Sequence, residues 1–474
     1  MKCEKGSITV FSALSILLIT AALFALLEGT RLQEINRFAD LQTESALESA
    51  FASYNTCLWE VYHLLGVQED NLEKELLDVA DGRIGEGTNL LQLRQKDMKI
   101  KSSLRLTDAQ GKAFIRNVAM YMQKNWVYET AKEIYSQYEA IKDLMESSSL
   151  DKENIGQALQ EIENAQSQKQ NKAARTKSTG IDVKQLLEDA EKWQEHGILN
   201  LVIKDTDLLS HAKEDFGNAV TNRKLEKGTK KVEEITWQES ILFRQYLMTY
   251  MSNYQTTKEN HALSYEVEYL LGGKSSDIEN LKVVVTELLA IRESVNFAYL
   301  VSNQNCVAQA EAAALLIAGT SLNSVIISVV KIGILTAWAL AESILDVRAL
   351  LAGKRIPVIK NEETWTTKLE NLNEVTSEYA MAKESKWGFK YEEYLTVLLL
   401  MLNDEVAAMR TMNVQEATIQ NVYDDMEFRM DTLLIQAEAE VSYSYKPVFP
   451  FLSVMDAQNR WEYSVLGEAS YGYY

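Results

Sequence analysis

Proline is nearly missing from this chain. There are three in 474 residues, Pro357, Pro447 and Pro450, and the first 356 residues hold none. A proline inside a helix removes a backbone donor and clashes with the preceding turn. Its absence leaves long helices uninterrupted, and the expected fold class is mainly α. Histidine is almost as scarce. The four, His63, His196, His211 and His261, form no H-E-x-x-H and no Cys/His pair at metal spacing, so no metal ligand is assigned among them. No G-x-S-x-G elbow occurs. The GGKS at 272–275 has Glu268 where a phosphate loop needs its first glycine, and it reads as a turn. Acidic neighbours such as Asp424–Asp425 and Glu362–Glu363 are expected as solvated surface among 68 Asp and Glu residues. No catalytic residue and no cofactor is assigned, and the chain is not read as an enzyme.

Positive charge is also in deficit. Against those 68 acids stand 48 Lys and Arg, a formal net charge of −20. Such a surface repels nucleic acid and anionic lipid head groups, which makes both poor partners. Cysteine is limited to Cys3, Cys57 and Cys306. If the bulk of the chain is extracellular, Cys57 and Cys306 could form one disulfide; two unpaired buried thiols are the alternative.

The sequence is richest at its start. Residues 8–27 carry no charge, and twenty helical residues rise about 30 Å, the thickness of a bilayer's hydrocarbon core. Lys2 and Lys5 precede this span, which by the positive-inside rule puts the N-terminus in the cytoplasm and the rest outside. No A-x-A site follows the span, so ordinary signal-peptide cleavage is not expected. Beyond it, Leu47, Phe51, Tyr54, Leu58, Val61 and Leu65 recur at spacings of four and three. They form either a heptad seam for another helix or a core-facing stripe. Gly66 would stop the helix. One helix from Ser7 to Leu65 would be about 90 Å long, apolar all round in its first half and amphipathic in its second.

That division, behind a short basic leader ending in glycine, resembles type IV pilins and the pseudopilins of Tad-type (tight adherence) systems. The resemblance implies a prepilin peptidase as partner, cutting after Gly6 to leave Ser7 as the mature start. Those families usually carry glutamate at the fifth mature position, where its carboxylate pairs with a neighbour's N-terminal amine during assembly. This chain has Phe11 there, which puts polymerisation, and even cleavage, in question.

The remaining chain divides by composition. Residues 1–6 are the leader, 7–27 the transmembrane helix and 28–66 an amphipathic stalk helix. Residues 67–235 are charged and partly irregular, with helical patches such as 112–145 and a polar hairpin tip or disordered link at 161–180. Residues 236–440 read as a compact helical core in which ALSYEVEYLL alternates like a short strand and Asp277 is placed to cap the next helix. Within it, residues 312–353 are strongly apolar. The polar GTSLNS at 319–324 splits that run, so two buried core helices are expected rather than a second span. The tail 441–474, with Tyr443, Tyr445, Tyr463, Tyr471, Tyr473 and Tyr474, is β-like.

The stretches KGSITVF, YEVEYLLGGKSSDIENL, WALAESILDVRALLAGKRIPVIK and YEEYLTVLLLMLNDEVAAMR resemble a domain-of-unknown-function family of membrane-anchored proteins from Gram-positive anaerobes. Its members are typically encoded beside Tad pilus genes. The resemblance implies a single-pass cell-membrane protein, its bulk extracellular, serving as a pseudopilin-like structural or accessory component that meets other pilus or secretion subunits through helix packing. The alternative is a membrane-tethered extracellular binding module, an adhesin or wall-associated scaffold on a simple anchor.

Overall fold

The computed structural model describes residues 4–74, 76, 93–125, 136, 138–139, 141–143, 154–167, 183–195, 198–318, 324–372, 375, 379–446 and 463–473. Met1 to Cys3 of the leader, His196, most of the helical patch 112–145 beyond Asn125, residues 168–180 of the tip expected over 161–180, residues 319–323, and Pro447 and Pro450 lie outside the described residues, while residues 161–167 of that tip are helical. The helices are α1 (Glu4–Ala52), α2 (Thr56–Tyr62), α3 (Asp108–Asn125), α4 (Asn154–Ser167), α5 (Val183–Glu195), α6 (Ile198–Val202), α7 (Trp237–Tyr250), α8 (Glu266–Gly272), α9 (Asp277–Ser302), α10 (Gln304–Ala318), α11 (Ser324–Leu351), α12 (Tyr391–Met401) and α13 (Asp404–Val422). The strands are β1 (Val67–Gln68), β2 (Arg94–Arg105), β3 (Leu433–Tyr445) and β4 (Tyr463–Gly472). The chain is mainly α, and it forms two compact units that interleave in sequence.

The first unit comprises Met1–Tyr121, Arg223–Ile235 and Glu427–Tyr474. Its centre is an antiparallel sheet in which β3 is flanked by β2 on one side and by β4 and β1 on the other. The sequence of β3, LLIQAEAEVSYSY, alternates small or apolar with polar residues. A strand sends successive side chains to opposite faces. Ala437, Ala439, Val441 and Tyr443 accordingly turn inward under α1, while Glu438 and Glu440 remain part-exposed. On that outer face Lys101 pairs with Glu440 at 2.7 Å and Glu468 at 2.5 Å.

The second unit comprises Met122–Asn222 and Thr236–Met426. Its axis is α11, buried along nearly all of residues 333–351, with α4, α5, α6, α9 and α10 packed around it. The strongly apolar 312–353 stretch therefore falls on two helices, and the window of α11 apolar enough to cross a membrane is 56% buried within the unit.

Three expectations are corrected. The helix does not continue to Leu65: α1 ends at Ala52 and residues 53–55 leave the helical path. Asn55 starts α2, its Oδ1 accepting from the Leu58 amide at 2.8 Å, the capping chemistry that makes Asn a helix-initiating residue. His63, at φ 52°, ends α2 before Gly66 is reached. The sheet is larger than a C-terminal tail. β2 is a 12-residue strand inside the segment read as irregular, and β3 begins at Leu433 rather than after Glu440. The alternating YEVEYLL is helix α8, not strand.

Candidate functional site

The first half of α1 is bare. Phe11 is 71% exposed and Leu18 70%, and the helix from Ile8 onward is long and apolar enough to cross a membrane. Gly6 and Ser7 lie in its first turns. Apolar side chains left in water cost roughly 1.5–3 kcal/mol each relative to burial, so this run calls for a lipid or protein surrounding.

The second half is locked to the sheet. Ile35 and Ala39 pack with Leu93, Val441, Tyr443 and Val465, and farther along Ala46, Leu47, Ala50 and Phe51 pack with Val67, Leu72, Leu434, Ala437 and Ala439. Thr43 donates to the Ala39 carbonyl at 2.9 Å and lies 3.2 Å from the Tyr443 hydroxyl. Gly467 admits the helix backbone: a Cβ there would stand 2.4 Å from the Ala39 oxygen. At the far end the Phe51 ring meets Tyr471 and Tyr473, each with centroids 5.2 Å apart, and the Tyr473 hydroxyl donates to the Phe51 carbonyl. Burial pushes the Tyr473 hydroxyl above its usual range.

The predicted stripe is thus divided. Leu47 and Phe51 are fully buried against the sheet, and Leu58 is fully buried on α2 beyond the break. Tyr54, Val61 and Leu65 are only half-buried. The break at 53–55 removes the common helical face that a seam for another helix requires. Cys57, half-buried on α2, and Cys306, buried on α10, are both free thiols rather than a disulfide; they belong to different compact units. Burial pushes the Cys306 thiol up.

A polar and aromatic group joins α1 to the sheet where the apolar run ends. Glu28, the first charged residue after it, is buried and pairs with Arg31 at 3.0 Å. Arg31 also donates to the Lys446 carbonyl at 2.7 Å and sits 5.8 Å from the Tyr445 ring centre. Tyr445 stacks on Tyr463 with centroids 5.8 Å apart. The sequence reading missed this group because its two halves are over 400 residues apart; the available sign was a glutamate and an arginine three apart, directly after an uncharged run.

The second unit holds two polar clusters in its core. In the first, Asp346 of α11 faces Arg292 of α9 at 2.9 Å and Lys360 at 2.5 Å. Lys360 also pairs with Glu342. Glu342 accepts from the Thr366 and Thr367 amides at 3.0 and 2.8 Å, and Arg292 donates to the Tyr394 hydroxyl at 2.8 Å. Two cations and two carboxylates cancel, and the backbone satisfies much of the remainder. Burial alone would raise the Asp346 pKa, but Arg292 and Lys360 outweigh it and hold the carboxyl below its ordinary value. Glu342 and Asp346 stand four apart in the apolar run AWALAESILDVRALL, a visible signal that both are buried and paired.

The second cluster is acidic. Glu266 accepts from the Ser252 amide at 2.8 Å and lies 2.8 Å from His261 Nδ1. Glu268 accepts from the Tyr254 amide at 2.9 Å and the Tyr391 hydroxyl at 2.6 Å. Asp277 opens α9 without capping it; its oxygens instead accept from the Ser210 hydroxyl at 2.6 Å and the Ser264 amide at 3.1 Å. Burial pushes Glu268 up to about 7 and raises Asp277 as well. Nearby, a cavity of about 270 Å³ is lined by residues including Lys204, Leu209, Tyr254, Leu351 and Tyr379. Among the described residues no three His, Cys, Asp or Glu side chains are arranged to hold a metal.

Residues 176–445, more than half the chain, match the model of a family of unknown function, DUF5702. The chain belongs to the DUF5702 family. No curated protein and no solved structure matches it. The DUF5702 segment contains both polar clusters and ends on Tyr445, the last residue of β3. It takes in the sheet's central strand, whereas α1, β2 and β4 lie outside it.

Proposed function

We propose that the chain is a membrane-anchored, pseudopilin-like structural or accessory component of a Tad-type pilus or secretion apparatus. In this reading the N-terminus is cytoplasmic and the bulk of the chain lies outside the cell. The supporting observation is the division of α1: twenty uncharged and almost all exposed residues run without a break into a half that is locked onto an antiparallel sheet. A helix built this way holds its folded unit to a bilayer. It can also leave the bilayer for a bundle of like helices without disturbing the sheet, because the apolar half contributes nothing to the unit's core. A prepilin peptidase would cut after Gly6 and free the Ser7 amine, and other pilus or secretion subunits would meet the bare half.

Phe11 favours a second reading, a tethered binding or scaffolding module. With phenylalanine in place of the assembly carboxylate, the first half of α1 serves as a plain anchor. Mass spectrometry of the N-terminal peptide, on protein isolated from its native membrane, separates the two. A start at Ser7 that is lost in Gly6→Ala is the expected result for the pilus component. A chain still beginning at Met1 or Lys2 overturns it in favour of the tether.

A further inference from the structure

The sheet bears on the position of α1 in a membrane, and its inference rests on the anchored reading above. Residues 8–27 rise about 30 Å as helix, which matches the hydrocarbon core and leaves no apolar residue spare. Glu28 and Arg31 follow at once, and by Leu32 and Ile35 the helix is already packed on the sheet. No exposed stalk separates span from sheet, in contrast to the stalk helix expected over 28–66.

The sheet also runs along the helix. Val465 lies in one cluster with Ile35, Gly467 abuts Ala39 and Thr43, the Glu468 amide donates to Asp40 at 3.1 Å, and Tyr473 reaches Phe51. β4 and α1 therefore advance in the same direction. From Arg31 to Phe51 the helix climbs about 30 Å, and from Tyr463 to Tyr473 the strand covers about 33 Å. One end of the sheet, made of Tyr445, Lys446 and Tyr463, is held beside Arg31, and the other stands roughly 30 Å farther from the apolar run.

We infer that this near end of the sheet is a lipid-contact surface, seated among the phospholipid head groups of the bilayer that holds α1. Arg31 lies about 6 Å past Leu27 along the helix, the depth of the head-group layer. Tyrosine is enriched at that level because its ring is apolar and its hydroxyl polar, and basic side chains there reach phosphate oxygens. Tyr445 and Tyr463 stack across the strand ends, Lys446 is exposed beside them, and the Arg31 contact to the Lys446 carbonyl fixes them to the helix. The partner is a zwitterionic phospholipid surface, since the net charge of −20 disfavours an anionic one.

Nitroxide labels on the full chain in phosphatidylcholine nanodiscs test this. The sites are Leu17→Cys, Ser464→Cys and Ser470→Cys, with Cys3 and Cys57 changed to Ser and the buried Cys306 kept. Ser464 and Ser470 are both exposed on β4, about 20 Å apart, so neither label disturbs the packing on α1. The expected result is a Leu17 label open to oxygen and shielded from a water-soluble nickel chelate. The Ser464 label should lose much of its nickel collision, while the Ser470 label keeps it fully. If Leu17 is in lipid but Ser464 and Ser470 meet nickel equally, the sheet stands clear of the bilayer and the inference is overturned. If Leu17 itself meets nickel freely, the anchored reading fails and the inference with it.

Discussion

A Cβ placed on Gly467 would come within 2.4 Å of the carbonyl oxygen of Ala39 and equally close to the Thr43 hydroxyl. The first contact is backbone, so relief requires α1 to move away from the sheet. Overpacking of this kind typically costs about 1–3 kcal/mol. Gly467→Ala should therefore lower the urea midpoint of the detergent-solubilised chain and expose residues 28–51 to protease. Gly29→Ala is the control, because nothing lies within 4 Å of its Cβ position; in a helix interior it should gain about 0.5–1 kcal/mol.

The bare half of α1 should be dispensable for folding. Removing residues 1–27 leaves Glu28, Ile35 and every later buried residue of α1 in place. The shortened chain should stay in solution without detergent and unfold within about 0.5 kcal/mol of the parent. Removing residues 1–35 also takes the fully buried Ile35, at a cost of about 1.5–3 kcal/mol. Equal losses from both truncations would mean that the apolar half supports the core after all.

The uncharged run of residues 8–27 is local, so composition alone locates the candidate anchor. The mainly helical character followed in the same way from missing proline. The break after Ala52 was missed because its cause is one asparagine cap, which competes with an otherwise regular stripe. β2 was missed because RQKDMKIKSSLR is polar enough to pass for a loop, and its partner lies more than 300 residues away. YEVEYLL was misread because its alternation of Tyr265, Val267 and Tyr269 with glutamates matches a strand's period. Both glutamates are fully buried, held by the amides of Ser252 and Tyr254.

The Arg292–Asp346–Lys360–Glu342 cluster should tolerate no single deletion. Lys360→Met would leave two buried carboxylates facing one arginine, and breaking a buried pair from one side costs about 3–5 kcal/mol. Trp365 reports on the site, since the Lys360 ammonium lies 5.6 Å from its ring centre. Urea unfolding followed by tryptophan fluorescence should show a large loss for Lys360→Met. A double change, Lys360→Met with Glu342→Gln, leaves the neutral Arg292–Asp346 pair and should recover part of it. Because the Asp346 pKa is held down in the folded state, its contribution is present above the ordinary carboxylate range and is lost as pH falls through the folded value.

Glu268 should slope stability in the opposite sense and in a higher window. Burial raises its folded pKa to about 7, so between its unfolded value and 7 the native chain binds the extra proton. Stability from this group is complete below the unfolded value and declines as pH climbs to 7, by about 3 kcal/mol in all. Glu268→Gln keeps an oxygen for the Tyr254 amide and the Tyr391 hydroxyl while removing the charge. The variant should match the parent near pH 5 and exceed it near pH 8, as read by urea midpoints across that range. Asp277, raised by burial as well, slopes the same way, so the variant flattens the profile without levelling it. Parallel profiles for parent and variant would place the buried proton on a group other than Glu268.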